Sequence, residues 1–218
     1  KKNSQRKEGR IKTIAGYIGG DKLVLLGAII VVFGLFTSIN RNFLSLQNMI
    51  NLLVAASLVG MVAIGHTYLI IAGQNDLSPG SLAAFSGVMA ALLVGKGMGI
   101  GFAIVLTVAA GVICGLFNAW MVNKIKLEAF IATLVTQSIV RGFAYIICDG
   151  KPIGISDAGF LQLGKMRFLD IPLAVWIMIL CIVVFGFILA KTKFGRSIYA
   201  IGGNKEAARL AGLNPTRI

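Results

Sequence analysis

Six long apolar blocks constrain this chain more than any other feature. They cover roughly residues 23–39, 49–72, 81–95, 98–122, 129–148 and 171–190. A helix needs about 20 residues to cross the hydrocarbon core of a bilayer, with a range of about 17–25. Five blocks fall in that range. The third is shorter and reads as a little-tilted span, a span with an earlier start, or half of a broken helix. Composition points the same way. Of 218 residues, 57% are hydrophobic and only 13% are charged, where a soluble domain carries about 25% charge. So few charges cannot coat a globular surface, which excludes an ordinary soluble enzyme, a disordered chain and a secreted disulfide scaffold. The expected fold class is all-α, a polytopic membrane helical bundle with six spans. Its transmembrane domain covers 23–190, with a cytoplasmic N-terminal segment at 1–22 and a cytoplasmic loop at 191–218.

The net charge of +13 would suggest a nucleic-acid partner in a soluble protein. Here the charges sit between apolar blocks, so they read as topology signals and no nucleic-acid partner is expected. Lysine and arginine concentrate on cytoplasmic loops. With the N-terminus inside, Lys1, Lys2, Arg6, Lys7, Arg10, Lys12 and Lys22 fall on that side, as do Lys124, Lys126, Lys191, Lys193, Arg196, Lys205, Arg209 and Arg217. Only Arg41, Lys96, Lys151, Lys165 and Arg167 fall outside, and Arg141 lies within a span. The parity predicts a multi-pass cell-membrane protein with a cytoplasmic N-terminus. The N-terminal stretch reads as a cytoplasmic segment and not as a signal peptide.

Chemistry-bearing motifs are scarce. Cys114, Cys148 and Cys181 form no CxxC pair, so neither a metal site nor a disulfide framework is expected. No nucleophile elbow, Walker A loop, HExxH or GxGxxG occurs, so no catalytic residue and no cofactor is read. His66 stands alone beside Thr67 and Tyr68 and is expected to be a hydrogen-bonded interior side chain. Small residues recur four apart at Gly111, Gly115 and Ala119, and at Ala83, Gly87 and Ala91. Such stripes let helices approach closely in lipid.

Two polar features stand inside the apolar sequence. The run Gly73-Gln74-Asn75-Asp76-Leu77-Ser78-Pro79-Gly80 is a turn or helix break. Asp76 could cap the helix that follows. The run has no basic anchor, so it is expected to tuck into the protein as broken transporter helices do; a simple surface turn is the alternative. In the fifth block, Thr133, Thr136, Gln137 and Arg141 share an arc of about 140° at 100° per residue. A charge within a span faces protein or water, so this stripe is a candidate translocation path together with Asp76. The alternative is a snorkelling arginine with structural hydrogen bonds.

Past the sixth block, 204–212 reads as a short helix. Asn204 is an N-cap, Glu206 sits in the first turn, Gly212 can take the left-handed C-terminal position, and Pro215 blocks continuation. A helix this short is not stable alone in water, so it needs a docking partner.

These residues carry a family resemblance. Phe194-Gly195-Arg196-x-x-Tyr199-Ala200-Ile201-Gly202-Gly203-Asn204-x-Glu206-Ala207-Ala208-Arg209-Leu210-x-Gly212 resembles the coupling loop of permease subunits in ribose-type monosaccharide ABC importers. Asp76-Leu77-Ser78-x-Gly80-Ser81, and Phe130-Ile131-Ala132-Thr133-Leu134 followed by Arg141-Gly142 and Gly150-Lys151-Pro152-Ile153, resemble two further motifs of that family in the same order. The resemblance implies a non-catalytic membrane subunit. Its implied partners are a second permease copy, cytoplasmic ATP-binding subunits, a periplasmic or lipoprotein sugar-binding protein and a monosaccharide. It also implies ATPase coupling through Gly203, Asn204, Glu206, Ala207, Ala208 and Gly212. Small Ala207 and Ala208 would let the helix sit in a cleft of the ATPase.

The chain departs from the pattern in several places. Gln74-Asn75 stand where the family often has Gly-Ile, Pro79 where it has valine, Val135 where it has glycine, and Leu127-Glu128-Ala129 where proline is usual. The family commonly has about ten spans, so six read as part of a permease. Ribose, xylose, allose and galactose all stay open as the sugar. The competing function class is a secondary transporter driven by an ion gradient, which would need no coupling helix and would pair ionisable residues within its spans.

Overall fold

The computed structural model describes residues 20–216. Lys1, Lys2, Arg6, Lys7, Arg10, Lys12 and Arg217, and with them most of the expected 1–22 segment, lie outside the described residues. The described chain is nearly all helix. Its helices are α1 (Gly20–Ile39), α2 (Leu46–Ile71), α3 (Pro79–Gly95), α4 (Ile100–Trp120), α5 (Ala129–Ile147), α6 (Ala158–Lys165), α7 (Leu173–Lys191), α8 (Lys193–Gly203) and α9 (Lys205–Leu210). Five of them (α1, α2, α4, α5 and α7) are long and apolar enough to cross a membrane, and α3, with 17 residues, is a shorter apolar helix. Their outward faces are apolar: Val24 is 73% exposed, Ile113 66% and Val183 63%. A soluble protein does not leave such continuous apolar surface in water, whereas lipid solvates it. The chain is a multi-pass membrane protein.

The described chain falls into two compact units that divide between Leu53 and Val54. In the first, α1 ends at Asn40, whose side chain accepts from the Asn42 N–H (2.9 Å) and starts a 3₁₀ turn over Arg41–Leu44. Phe43 then folds back on Phe33 and Phe36, with ring centroids 5.3 and 5.4 Å apart. Asn48 closes the corner by donating to the Phe43 carbonyl at 2.7 Å.

In the second unit, α3 packs against both α5 and α4. The expected close-approach stripes are only partly in contact: Ala91 is buried, but a Cβ added at Gly87, Gly111 or Gly115 would find open space among the described residues. The tight contacts fall elsewhere. Gly60 of α2 lies against Met178 of α7, Gly195 against the Leu189 carbonyl, and Gly202 against the Ile71 carbonyl at the end of α2. The Tyr68 hydroxyl donates to the Phe185 carbonyl, which ties α2 to α7. His66 is half-buried but donates to and accepts from no described residue, so the expected hydrogen-bonded interior histidine is not found.

A small hairpin connects α6 to α7. Arg167–Phe168 pairs antiparallel with Ile171–Pro172 across the two-residue turn Leu169-Asp170. Both turn residues have positive φ, +52° and +60°. That turn type favours Asn-Gly, and a bulky leucine there is strained. The ladder is held by Trp176, whose Nε1 donates to the Phe168 carbonyl at 3.0 Å. Relieving the turn with Leu169→Asn and Asp170→Gly together should raise stability by about 1–2 kcal/mol. Thermal denaturation in detergent would show this as a higher melting temperature; an unchanged or lower one would remove the strain argument.

Candidate translocation and coupling site

The break between α2 and α3 is built by the sequence around it. Gly73 takes φ +74°, which ends the turn after α2. The chain then runs without helix to Pro79, which sits at the first position of α3. Asp76 Oδ1 accepts from both the N–H and the hydroxyl of Ser78, at 2.8 and 2.6 Å. The carboxylate therefore fixes the turn before α3, but it does not cap the helix as expected: Ser78 is the N-cap residue, and no side chain accepts from the first-turn N–H groups. The break is tucked in: Ser78 is fully buried, and the Leu77 N–H donates to Thr133 Oγ1 of α5 at 3.2 Å.

Asn118 of α4 is the centre of this arrangement. Its Nδ2 donates to Ser78 Oγ at 3.2 Å, and its Oδ1 accepts from the Thr136 hydroxyl of α5. Asp76, Ser78, Asn118 and Thr136 thus form one hydrogen-bonded chain that joins the break to α4 and α5. Asn118, Thr133 and Thr136 are all buried. Such interhelix bonds contribute about 0.6 kcal/mol each on average in membrane bundles. Leaving a buried partner unpaired costs more, about 1–3 kcal/mol. The sequence reading did not single out Asn118; its signal was an amide inside an otherwise apolar span.

The five candidate path residues separate. Asp76 and Thr133 line a cavity of about 510 Å³, together with Asn118, Tyr68 and Phe194. Thr136 lines a smaller apolar cavity of about 220 Å³. Gln137 is half-buried. Arg141 is exposed, and its guanidinium lies 5.5 Å from the ring centre of Tyr145, a cation–π contact that shelters the charge.

The candidate coupling segment, α9, is a capped helix. Asn204 Oδ1 accepts from the Ala207 N–H at 2.9 Å. At the other end Gly212 takes φ +87°. There the Leu213 N–H reaches the Ala208 carbonyl and the Gly212 N–H the Arg209 carbonyl, each at 3.0 Å. This paired closure is the Schellman motif. Ala208 is buried against its own chain at 5% exposure, while Glu206 and Ala207 are exposed and Leu210 is 88% exposed. The two small alanines therefore serve different surfaces: Ala208 seats the helix, and Ala207 lies beside Leu210 on the free face. Leu210, an apolar residue left bare on a polar helix, is not among the residues through which the resemblance implies ATPase coupling.

A second cavity of about 710 Å³ opens beside α9. It is walled by Gln74 and Asn75, by 122–123 and 126–130, and by Lys205, Glu206 and Arg209. On this side α4 continues into a π-helical turn, Met121–Ile125, which ends at Lys126 with φ +65°. Among the described residues no cluster of His, Cys, Asp and Glu could hold a metal ion.

Comparison with known proteins follows the same residues. A family model described as branched-chain amino acid transport system / permease component matches residues 48–218. The L-arabinose transport system permease protein AraH of Escherichia coli (strain K12) is 40% identical over 195 residues, covering 89% of this chain and 58% of that protein. The ribose import permease protein RbsC of Haemophilus influenzae is 37% identical, covering 88% and 60%, and that of Bacillus subtilis (strain 168) has the same figures. The chain thus spans about three-fifths of the length of these curated relatives. No solved structure matches it. The chain belongs to this permease family, the membrane-spanning subunits that include the ribose-type importers.

Proposed function

We propose that this chain is the transmembrane permease subunit of an ATP-driven monosaccharide importer. It contributes to the sugar pathway and couples to a cytoplasmic ATPase through α9. The observation that carries the reading is the run of 195 aligned residues shared with arabinose and ribose permeases. The capped α9, with its bare Leu210, supports it as a surface made for a partner. The chain itself does no chemistry. ATP-binding subunits supply the energy, a periplasmic or lipoprotein binding protein delivers the sugar, and a second permease copy completes the pore.

The charge parity supports a bacterial inner-membrane protein with its N-terminus in the cytoplasm. In that orientation Asp76 and Thr133 stand on the pathway toward the cytoplasmic ends of α4 and α5, beside the cavity they line. An ion-driven transporter would be expected to pair ionisable groups within its spans, and no such pair is found among the described residues. Uptake of radiolabelled pentoses by cells carrying the complete transporter genes, with and without this permease, tests the reading. Loss of saturable uptake on deletion is expected; equal uptake in both strains would refute it.

A further inference from the structure

We propose that Gln74, Asn75 and Asn123 form a hydroxyl-reading collar that sets which monosaccharide passes; the proposal rests on the importer reading above. All three amides line both the 710 Å³ and the 510 Å³ cavity. They therefore occupy the wall that the two spaces share. A solute moving between the two spaces would meet them in this shared lining, alongside Val122, Ala129, Lys205 and Pro215.

The fold does not use these amides. None of the three side chains makes a hydrogen bond to a described residue, although Gln74 and Asn123 are half-buried. Asn118 and Asn204, by contrast, are spent on the helix network and on a cap. A carboxamide offers two donors and one acceptor with two lone pairs. A sugar hydroxyl is both donor and acceptor, so a set of amides matches it whichever way each hydroxyl turns. Tyr68 and Phe194 in the smaller cavity offer ring surface to the C–H face of such a ring. A few placed polar groups among apolar and aromatic walls, in about 300–1,000 Å³, is the usual make-up of a small-molecule site.

The supports are rigid. Gln74 and Asn75 sit on the break pinned by the Asp76–Ser78 and Leu77–Thr133 bonds. Asn123 sits on the π-helical turn, a distortion that often marks functional positions in helices. Gln74 and Asn75 are also where the chain departs from the Gly-Ile of the motif it resembles. Amides there set this chain apart from that motif, as expected of residues that choose the solute.

The test uses the full-length permease with its ATPase and binding protein in proteoliposomes. Gln74→Gly with Asn75→Ile restores the motif's residues. Its KM for the transported sugar should rise about tenfold, the size expected when one or two neutral hydrogen bonds are lost. The ranking among L-arabinose, ribose, xylose and galactose should change with it. Asn123→Leu carries the same test if the double variant folds poorly. Wild-type KM and ranking in a folded variant would overturn the collar while leaving the importer reading intact. Wild-type protein that carries leucine and no sugar would overturn both.

Discussion

Gly202→Val should reduce the amount of folded permease in the membrane at least tenfold. A Cβ at this position would run into the carbonyl oxygen of Ile71, where the end of α8 meets the end of α2. That neighbour is backbone at a helix terminus and cannot rotate away as a side chain could. Overpacking of this kind costs about 1–3 kcal/mol, and sometimes more, and each 1.4 kcal/mol is about a tenfold shift. Gly203 beside it faces open space, so Gly203→Ala should leave the folded amount near wild type. Detergent extraction followed by size-exclusion chromatography measures both. Equal monodisperse peaks for the two variants would mean that α8 does not seat on α2 as described.

The second large effect concerns α9. Glu206, Ala207 and Leu210 lie within about 100° of one another at 100° per residue, while Ala208 points the opposite way. Leu210→Asp should therefore lower sugar-stimulated ATP hydrolysis by the complete transporter at least tenfold with normal permease abundance, the size expected for a central interface residue. Ala208→Trp should act differently. Because Ala208 is buried, the bulkier ring should lower the folded amount first. A Leu210→Asp transporter that keeps its ATPase and full stimulated hydrolysis would show that this face is not where coupling occurs.

The spans were legible in the sequence because each is a long apolar block whose ends carry charge or turn formers. The fifth block, 129–148, became α5 at Ala129–Ile147. The caps of α9 were legible for a similar reason: Asn204, Glu206 and Gly212 act on neighbours a few residues away. What failed were readings that depend on which helices touch. Gly111 and Gly115 were read as a contact stripe from spacing alone, yet the approaches fall at Gly60, Gly195 and Gly202, which form no periodic pattern. Asn118 binds Ser78 from 40 residues away, a pairing that local pattern cannot reveal. The burial of Ala208 likewise depends on tertiary packing and not on the helix's own composition. α6 and the hairpin before α7 were missed because they are short and lie in a polar connection.

In the proposed importer, ATP and not an ion gradient drives transport. Proteoliposomes containing the full-length permease, its ATP-binding subunits and the sugar-binding protein test it directly. Accumulation of radiolabelled L-arabinose or ribose should require ATP on the side that carries α9, and should persist after proton and sodium gradients are collapsed. Accumulation that is indifferent to ATP and disappears with the ion gradient would contradict the account.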